Sequence, residues 1–110
     1  CAAALASLRV LLREGWIERV EEKSLRFAEK IKTHPAVREI RSSGLLMAVE
    51  LGRPGAGERA VRQLLEEDVM TDWFLSSDTA FRIAPPLCIS EEEIDLAVEK
   101  ILRVLDRMVF

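Results

Sequence analysis

Histidine and cysteine are scarce in this chain, which limits the chemistry available to it. The 110 residues include two cysteines, Cys1 and Cys88, and one histidine, His34. The cysteines lie far apart without a CxxC spacing, so we interpret them as unpaired small residues in a reducing compartment. His34 precedes a proline and has no second histidine or carboxylate cluster beside it, so we interpret it as a loop residue after a helix. We therefore predict no metal site.

The chain also lacks long apolar runs and an excess of basic residues. No apolar stretch approaches the roughly 20 residues that a membrane-spanning helix needs. The net charge is −3, whereas proteins that bind nucleic acid favour a basic surface. We therefore expect a cytoplasmic protein that binds neither a membrane nor nucleic acid.

The composition is otherwise typical of a globular protein. Hydrophobic residues make up 49% of the chain and charged residues 32%, which is unlike a disordered segment. A chain of this length buries about 65% of its unfolded surface, enough for a core without disulfides or metals. We expect residues 1–110 to form a single domain.

Two helices are predicted in the first third of the chain. Residues 1–13 are rich in alanine and leucine and carry an apolar stripe at Leu5, Leu8 and Leu12. Residues 16–33 have the periodicity of an amphipathic helix, which ends before a proline. Both apolar stripes require a packing partner.

Two further helices are predicted later in the chain. Residues 58–67 have the periodicity of a short helix, and we expect Leu65 among its inward side chains. The last helix follows Ser90, a favourable N-cap residue, and Glu93 stands where a capping box requires a glutamate.

A hairpin is predicted between the second and third helices. Residues 37–41 and 45–51 have the character of strands, and the turn between them is predicted at Ser42, Ser43 and Gly44. Because the run at 45–49 is continuously apolar, we expect both faces of that strand to be covered.

Two more strands precede the last helix. Residues 69–75 and the run from Thr79 to the Pro85–Pro86 pair are strand-like, with a polar turn at residues 76–79. The predicted order is helix, helix, hairpin, helix, two strands, helix. This order predicts an α+β fold of two layers, in which helices pack on a small, mainly antiparallel sheet of about four strands.

Arg82 is the first candidate binding residue. It stands between Phe81 and Ile83, and alternation along a strand places its side chain on the face opposite to theirs. A guanidinium within an apolar run needs an anionic partner. Two partners remain open at this point: a carboxylate of the chain itself, or a carboxylate ligand held bidentately.

Trp73 and Phe74 are the second candidates. An aromatic pair beside a polar turn can line a pocket, although such pairs more often belong to a core or an interface. We interpret Asp72 and Asp78 as turn residues. No serine has a histidine at a spacing that suggests a nucleophile and its base, so we predict no catalytic residue. The lysines are expected on exposed helix faces or helix ends; they are Lys23, Lys30, Lys32 and Lys100.

Seven short motifs resemble the C-terminal small domain of class III aminotransferases. These pyridoxal phosphate (PLP) enzymes include the ornithine, acetylornithine and omega-amino-acid aminotransferases. The motifs occur in the order and spacing of that family, and the resemblance covers essentially the whole chain. They are CAAAL at 1–5, GWIERV at 15–20, HPAV at 34–37, RSSGLLMAVEL at 41–51, DVMTD at 68–72, FRIAPPL at 81–87 and EEEI at 91–94.

The resemblance implies roles for the candidate residues. Arg82 would bind the carboxylate of the substrate, or pair with a gating glutamate elsewhere in the enzyme, and Trp73 and Phe74 would lie near that site. PLP would belong to the parent enzyme. Its aldimine lysine, its phosphate-binding groups and the aspartate that faces the pyridine nitrogen would lie upstream, so we expect no cofactor-binding residue in this chain.

Two positions depart from the family. Ser42 stands where the family usually has glycine, and Ala48 where it often has glycine. Glycine permits tight turns and a close approach of the backbone. These changes indicate either relaxed contact with an absent domain or deliberate resurfacing.

We interpret the chain as an isolated or engineered small domain of such an enzyme. The parent would transfer an amino group between an amine or amino acid and a 2-oxo acid. Alone, the chain is expected to be catalytically silent and to form a homodimer through its former interface with the missing large domain. One alternative is a stand-alone domain that senses a small carboxylate through Arg82. Another is a scaffold redesigned for stability, which the charged helix faces also fit.

Overall fold

The computed structural model describes residues 1–108, which contain four α-helices and a four-stranded sheet. The predicted order of elements and the α+β class are confirmed. The helices are α1 (Ala2–Arg13), α2 (Val20–Ile31), α3 (Ala56–Glu66) and α4 (Glu91–Arg107), with a 3-10 turn at Ile17–Arg19 before α2. The strands are β1 (Glu39–Ser43), β2 (Leu46–Glu50), β3 (Asp72–Phe74) and β4 (Ser77–Ile83).

The sheet has the strand order β1-β2-β4-β3, and every pair of neighbours is antiparallel. Two hairpins, β1–β2 and β3–β4, therefore lie side by side, and α3 connects them. In the central pair, Met47 is opposite Ile83 and Val49 is opposite Phe81. All four side chains are buried, so this face of the sheet forms the floor of the core.

Three helices cover this face of the sheet and complete the hydrophobic core. Their innermost side chains recur at helical spacing, as amphipathic periodicity requires. They are Phe27 and Ile31 of α2, Ala60, Val61 and Leu64 of α3, and Ile94, Val98, Ile101, Val104 and Leu105 of α4.

The ends of α3 and α4 are fixed by local hydrogen bonds. The capping box of α4 is confirmed, because Ser90 Oγ accepts from the Glu93 N–H and Glu93 Oε1 accepts from the Ser90 N–H, both at 3.1 Å. At the C-terminus of α3, Asp68 adopts the left-handed conformation with φ of 62°. The Val69 N–H then bonds to the Leu64 carbonyl, which is a Schellman motif.

The predicted position of the first turn is wrong. Ser42 and Ser43 belong to β1, and the turn lies at Gly44 and Leu45. Gly44 takes the left-handed conformation, with φ of 59°, and a Cβ at this position would lie 2.7 Å from Cγ1 of Val20. Glycine is therefore required at the turn itself, whereas Ser42 occupies ordinary strand backbone.

Asp72 and Asp78 are also not turn residues. Asp72 begins β3 and Asp78 lies in β4, because the hairpin closes through only two residues, Leu75 and Ser76. Antiparallel strands need no longer connection than this. Oδ2 of Asp78 accepts a hydrogen bond from the Gly55 N–H at 3.0 Å, which ties the start of α3 to the sheet.

Two expected buried positions are exposed. Leu65 is 60% exposed because the inward stripe of α3 continues at Leu64 and not at its neighbour. In β2, Met47 is buried, but Leu46 is 56% exposed and Ala48 is half-buried. The expectation that both faces of β2 are covered is therefore wrong within residues 1–108, where the helices cover one face.

Helix α1 contributes nothing to the core. None of its residues is buried, and its predicted stripe at Leu5, Leu8 and Leu12 is 47%, 51% and 66% exposed. The molecule is accordingly elongated, with extents of 46 × 26 × 24 Å. Among the described residues, no helix is long and apolar enough to cross a membrane.

Candidate functional site

The sheet face opposite the core carries charged side chains, and we name it the open face. One row crosses all four strands in register, in the order Arg41, Ala48, Arg82 and Asp72. Arg82 lies on the central strand β4 and its side chain is 38% exposed, whereas its neighbours Phe81 and Ile83 are buried. The predicted alternation around Arg82 is confirmed. It places the guanidinium near the middle of the open face.

Arg82 is held from the side of β3. Its Nη2 donates to Oδ2 of Asp72 at 3.0 Å, and its Cζ lies 5.9 Å from the centre of the Phe74 ring. The Thr71 hydroxyl donates to the main-chain carbonyl of Arg82. These contacts fix both the backbone and the head group of Arg82 by residues of the β3 segment.

The Arg82 guanidinium retains donors for another partner. Within residues 1–108 the structure records no hydrogen-bond partner for its Nε or Nη1. The pair with Asp72 is exposed on both sides, and exposed ion pairs contribute only about 0–1 kcal/mol to stability. The Arg82–Asp72 pair is thus the structural ion pair that the sequence allowed as one alternative. It leaves Nε and Nη1 of Arg82 available to a ligand.

The two aromatic candidates are separated by the structure. Trp73 is opposite Phe81 in the β3–β4 pairing and packs against the hydrophobic core. Phe74 is the residue whose ring contacts the guanidinium of Arg82. Successive strand side chains point to opposite faces, so only one of two adjacent aromatics can border the arginine directly.

Glu50 forms a second charged cluster on the open face, which sequence reasoning missed. Its Oε1 accepts from the Gly52 N–H at 2.9 Å and its Oε2 accepts from Arg41 at 3.3 Å. The hydrogen bond from the Thr79 side chain lowers the pKa of Glu50 most, with smaller help from Gly52 and Arg41 and against the opposing effect of burial. Its position beside a conspicuous apolar run, at the end of β2, was the available signal.

An apolar groove of about 640 Å³ adjoins the open face. It lies between α4 and the segments on either side of the β3–β4 hairpin, and its rim includes Asp72 and Arg82. Most of its remaining wall is hydrophobic, with Val69, Pro85 and Leu96 as examples. The groove, which Arg82 helps to line, can therefore accept an apolar substituent.

Comparison with known proteins assigns the chain to a family. The sequence profile of "Aminotransferase class-III" matches residues 1–105. The chain belongs to the class III aminotransferase family.

The family assignment is supported by individual relatives. The chain is 37% identical over 107 residues to an ornithine aminotransferase of Halalkalibacterium halodurans, covering 96% of this chain and 26% of that protein. It is 39% identical over 106 residues to an ornithine aminotransferase 2 of Staphylococcus aureus, covering 94% of this chain and 26% of that protein. The chain therefore spans about a quarter of the length of these relatives.

A solved structure shows the same fold. The adenosylmethionine-8-amino-7-oxononanoate aminotransferase of Methanocaldococcus jannaschii superposes with a TM-score of 0.84 at 26% identity. The match covers 100% of this chain and 28% of that structure. The α+β arrangement described above is thus an arrangement found in an aminotransferase.

Class III aminotransferases use PLP, and the two half-buried lysines of this chain are already bonded to main-chain carbonyls. Lys23 Nζ donates to the Leu87 carbonyl at 2.6 Å and Lys100 Nζ donates to the Glu67 carbonyl at 2.8 Å. Both are half-buried, which corrects the expectation that they are exposed, because each ties a helix to a loop. Lys30 and Lys32, at the end of α2, are exposed as expected.

The histidine and the two cysteines, which the sequence did not predict to be ligands, take no part in the Arg82 contacts described above. His34 follows α2, as predicted, and its Nε2 contacts Oδ1 of Asp106 at 2.7 Å while its Nδ1 accepts from the Ala36 N–H. Cys1 and Cys88 are both free and exposed. In the part of the chain that the structure describes, no three His, Cys, Asp or Glu side chains are grouped to hold a metal ion.

Proposed function

We propose that the chain is the small domain of a longer class III aminotransferase and that its open face supplies Arg82 to the substrate site. The parent exchanges an amino group between an amine or amino acid and a 2-oxo acid. The observation that carries this proposal is the half-exposed guanidinium of Arg82, which retains Nε and Nη1 as donors in a chain of this family.

In this proposal Arg82 binds and orients the substrate through its carboxylate. The planar fork of a guanidinium matches a carboxylate in two parallel hydrogen bonds, which fix direction as well as position. Phe74 borders the bound group, since its ring already contacts Arg82. Trp73 supports the site from the core side, where it packs beneath the same hairpin.

The chemistry of amino transfer belongs to another part of the parent. PLP, when bound there, supplies the electron sink for the reaction. Lys23 and Lys100 are engaged with main-chain carbonyls, and Lys30 and Lys32 are exposed at the end of α2. We therefore propose that the chain binds no PLP and is catalytically silent by itself. Its two free cysteines fit a reducing compartment such as the cytoplasm.

By itself, the chain forms a homodimer through α1 in this proposal. Leu5, Leu8 and Leu12 lie at helical spacing, all are about half exposed or more, and the core does not need them. An exposed apolar stripe of this kind favours burial against a second copy. In the parent, the large domain would cover the same stripe.

The role of Arg82 is tested by kinetics on a class III aminotransferase polypeptide that contains this chain. Loss of a charge-assisted, bidentate contact in Arg82→Ala should lower kcat/KM for a 2-oxo acid about 10- to 100-fold. An amine substrate without a carboxylate should react as in the wild type. Arg82→Lys keeps the charge but loses the planar fork, so its kcat/KM for the 2-oxo acid should lie between those of the wild type and Arg82→Ala.

Arg41→Ala is the matched control, because Arg41 lies in the same row of the open face and is paired with Glu50. It should leave the ratio of the two kcat/KM values unchanged. An equal loss for both substrates in Arg82→Ala would mean that Arg82 is structural and would refute the proposed role.

A further inference from the structure

Ala48 has the smallest side chain in the row of the open face that contains Arg82. It lies on β2, directly opposite Arg82 on one side and directly opposite Arg41 on the other. Side chains that are directly opposite have Cβ atoms only about 4.5–5.5 Å apart, so the Ala48 methyl group is an immediate neighbour of the Arg82 stem. The size of this side chain therefore sets how much space lies beside Arg82 on the β2 side.

The β3 side of Arg82 is already occupied by side chains of the same chain. Asp72 accepts from Nη2 at 3.0 Å, and the centre of the Phe74 ring lies 5.9 Å from Cζ. An anionic ligand that arrived from this side would meet the carboxylate of Asp72, and like charges repel. The β2 side is therefore the open route to the guanidinium.

The neighbour of Ala48 on β1 does not fill this route. The Arg41 guanidinium is directed to two carboxylates, with Nη2 at 3.3 Å from Glu50 and Nη1 at 3.6 Å from Glu39. Glu39 and Glu50 are directly opposite each other in the next row of the open face, so Arg41 leans out of the row that it shares with Arg82. Neighbouring strands are about 4.8 Å apart, which leaves about 10 Å between the backbones of Arg41 and Arg82, with only a methyl group between them.

We propose that Ala48 is a specificity-determining residue, which keeps open the space through which the carboxylate of a substrate reaches Arg82. The inference rests on the proposed function of Arg82. A carboxylate oxygen bonded to a guanidinium lies about 2.7–2.9 Å from the nitrogen, whereas carbon atoms in contact need about 3.5–4.0 Å. A larger side chain at position 48 would therefore occupy the place of the carboxylate itself. A substrate without a carboxylate does not need this space.

Kinetics of Ala48→Val test this inference in the class III aminotransferase polypeptide that contains this chain. Valine adds two methyl groups and is favourable in a strand, so the sheet should be retained. Because the added groups crowd the carboxylate, kcat/KM for pyruvate should fall about 5- to 50-fold. The value for an amine substrate without a carboxylate should stay unchanged. Propanoate has a carboxylate but no oxo group to react, so its inhibition constant should rise by a similar factor, which separates binding from chemistry.

Ser43→Val is the matched control, because Ser43 is exposed on the edge strand β1 and is opposite Leu46, away from Arg82. It should leave the kinetics of both substrates unchanged. Ala48→Cys, which adds a single atom, should lower kcat/KM for pyruvate by a smaller factor, and it decides the matter if Ala48→Val fails to fold. No loss for pyruvate, or an equal loss for pyruvate and the amine, overturns this inference alone when Arg82→Ala discriminates between the two substrates. If Arg82→Ala lowers both values equally, the proposed function fails and this inference fails with it.

Discussion

Glu50 lies on the open face, and its carboxylate interacts with the charged groups that surround it. It is directly opposite Glu39 across the β1–β2 pairing, and like charges in that position repel. Arg41 lies between them, 3.3 Å from Glu50 and 3.6 Å from Glu39. The Glu50 side chain is 15% exposed and Glu39 is 57% exposed, so these two similar residues have different surroundings.

Glu50→Gln should lower stability most at neutral pH. Hydrogen bonding to Thr79, Gly52 and Arg41 lowers the pKa of Glu50 in the folded chain relative to the unfolded chain. The stabilisation is therefore complete above the unfolded pKa of about 4.3 and is lost as the pH falls through the lower folded pKa. Urea unfolding of the wild type and Glu50→Gln across this range should show that the difference between their free energies of unfolding shrinks below a pH of about 4.

Glu39→Gln is the control for this experiment, because Glu39 is exposed and directly opposite. Its stability curve should run parallel to that of the wild type. A constant difference between Glu50→Gln and the wild type at every pH would contradict the account of Glu50.

The sequence revealed Arg82 but not its partner, for a physical reason. Alternation along one strand is a local property, so the exposure of Arg82 between Phe81 and Ile83 could be predicted. The pairing with Asp72 depends on the register of two strands, which shifts at an irregularity between Trp73 and Phe74 and which the pattern did not reveal. The hydrogen-bond partners of Glu50 could not be predicted for the same reason, because Thr79 and Arg41 belong to the neighbouring strands β4 and β1.

The packing of α3 on β4 brings two backbones into contact. At Gly57, an added Cβ would lie 2.3 Å from the Ala80 carbonyl oxygen and 2.8 Å from its carbonyl carbon. The atoms that it would meet belong to the backbone of a central strand, which cannot move aside as a flexible side chain can. Gly57 is thus required by the approach of the two elements and not by its own dihedral angles.

Gly57→Ala should destabilise the chain. Alanine favours a helix interior over glycine by about 1 kcal/mol, so at an open helix position the change would stabilise. Here overpacking should outweigh that gain, with a net loss of about 1–3 kcal/mol in the free energy of unfolding. Thermal and urea unfolding measure this directly.

Gly55→Ala separates close approach from backbone strain. Gly55 has φ of 73°, and an added Cβ would meet nothing within 4 Å. The stability lost in Gly55→Ala should therefore come from the left-handed conformation alone and amount to about 1 kcal/mol. A Gly57→Ala chain that is as stable as the wild type would show that α3 shifts freely against β4.

Element types were predictable here because their signals are local. The capping box at Ser90 and Glu93 located the start of α4, and the apolar periodicity located α3. Boundaries were less predictable: the turns moved to Gly44 and to Leu75–Ser76, since hairpin geometry and not composition fixed them. The exposure of α1 could not be predicted, because its stripe has the periodicity of a packed helix whatever covers it.

The molecule as a whole consists of a packed α+β body and a helix that adds nothing to the core. The body comprises the sheet with α2, α3 and α4, whereas α1 has no buried residue. In the proposed homodimer, this division separates stability from association. Changes on α1 should alter how copies meet without altering how each copy folds.

Replacing Leu5, Leu8 and Leu12 together by glutamine should shift the chain from dimer to monomer. All three side chains are at least 47% exposed, so the stability of the monomer should change by no more than about 0.5 kcal/mol per site. Analytical ultracentrifugation reports the mass, and urea unfolding reports the stability. Leu65→Gln, which changes a leucine 60% exposed on α3, is the control and should leave the mass unchanged. A wild-type chain that is monomeric at high concentration would contradict the homodimer.

We propose that this chain forms a substrate-binding domain of an aminotransferase and that the cofactor chemistry is supplied elsewhere. The most direct measurement is to mix the purified chain with PLP, dialyse it, and record the absorbance of any retained aldimine. No band should survive dialysis, since Lys23 and Lys100 are already bonded to main-chain carbonyls and the exposed Lys30 and Lys32 lie at the end of α2. A stable band carried by a single lysine would contradict it and would make the chain a PLP-binding protein in its own right.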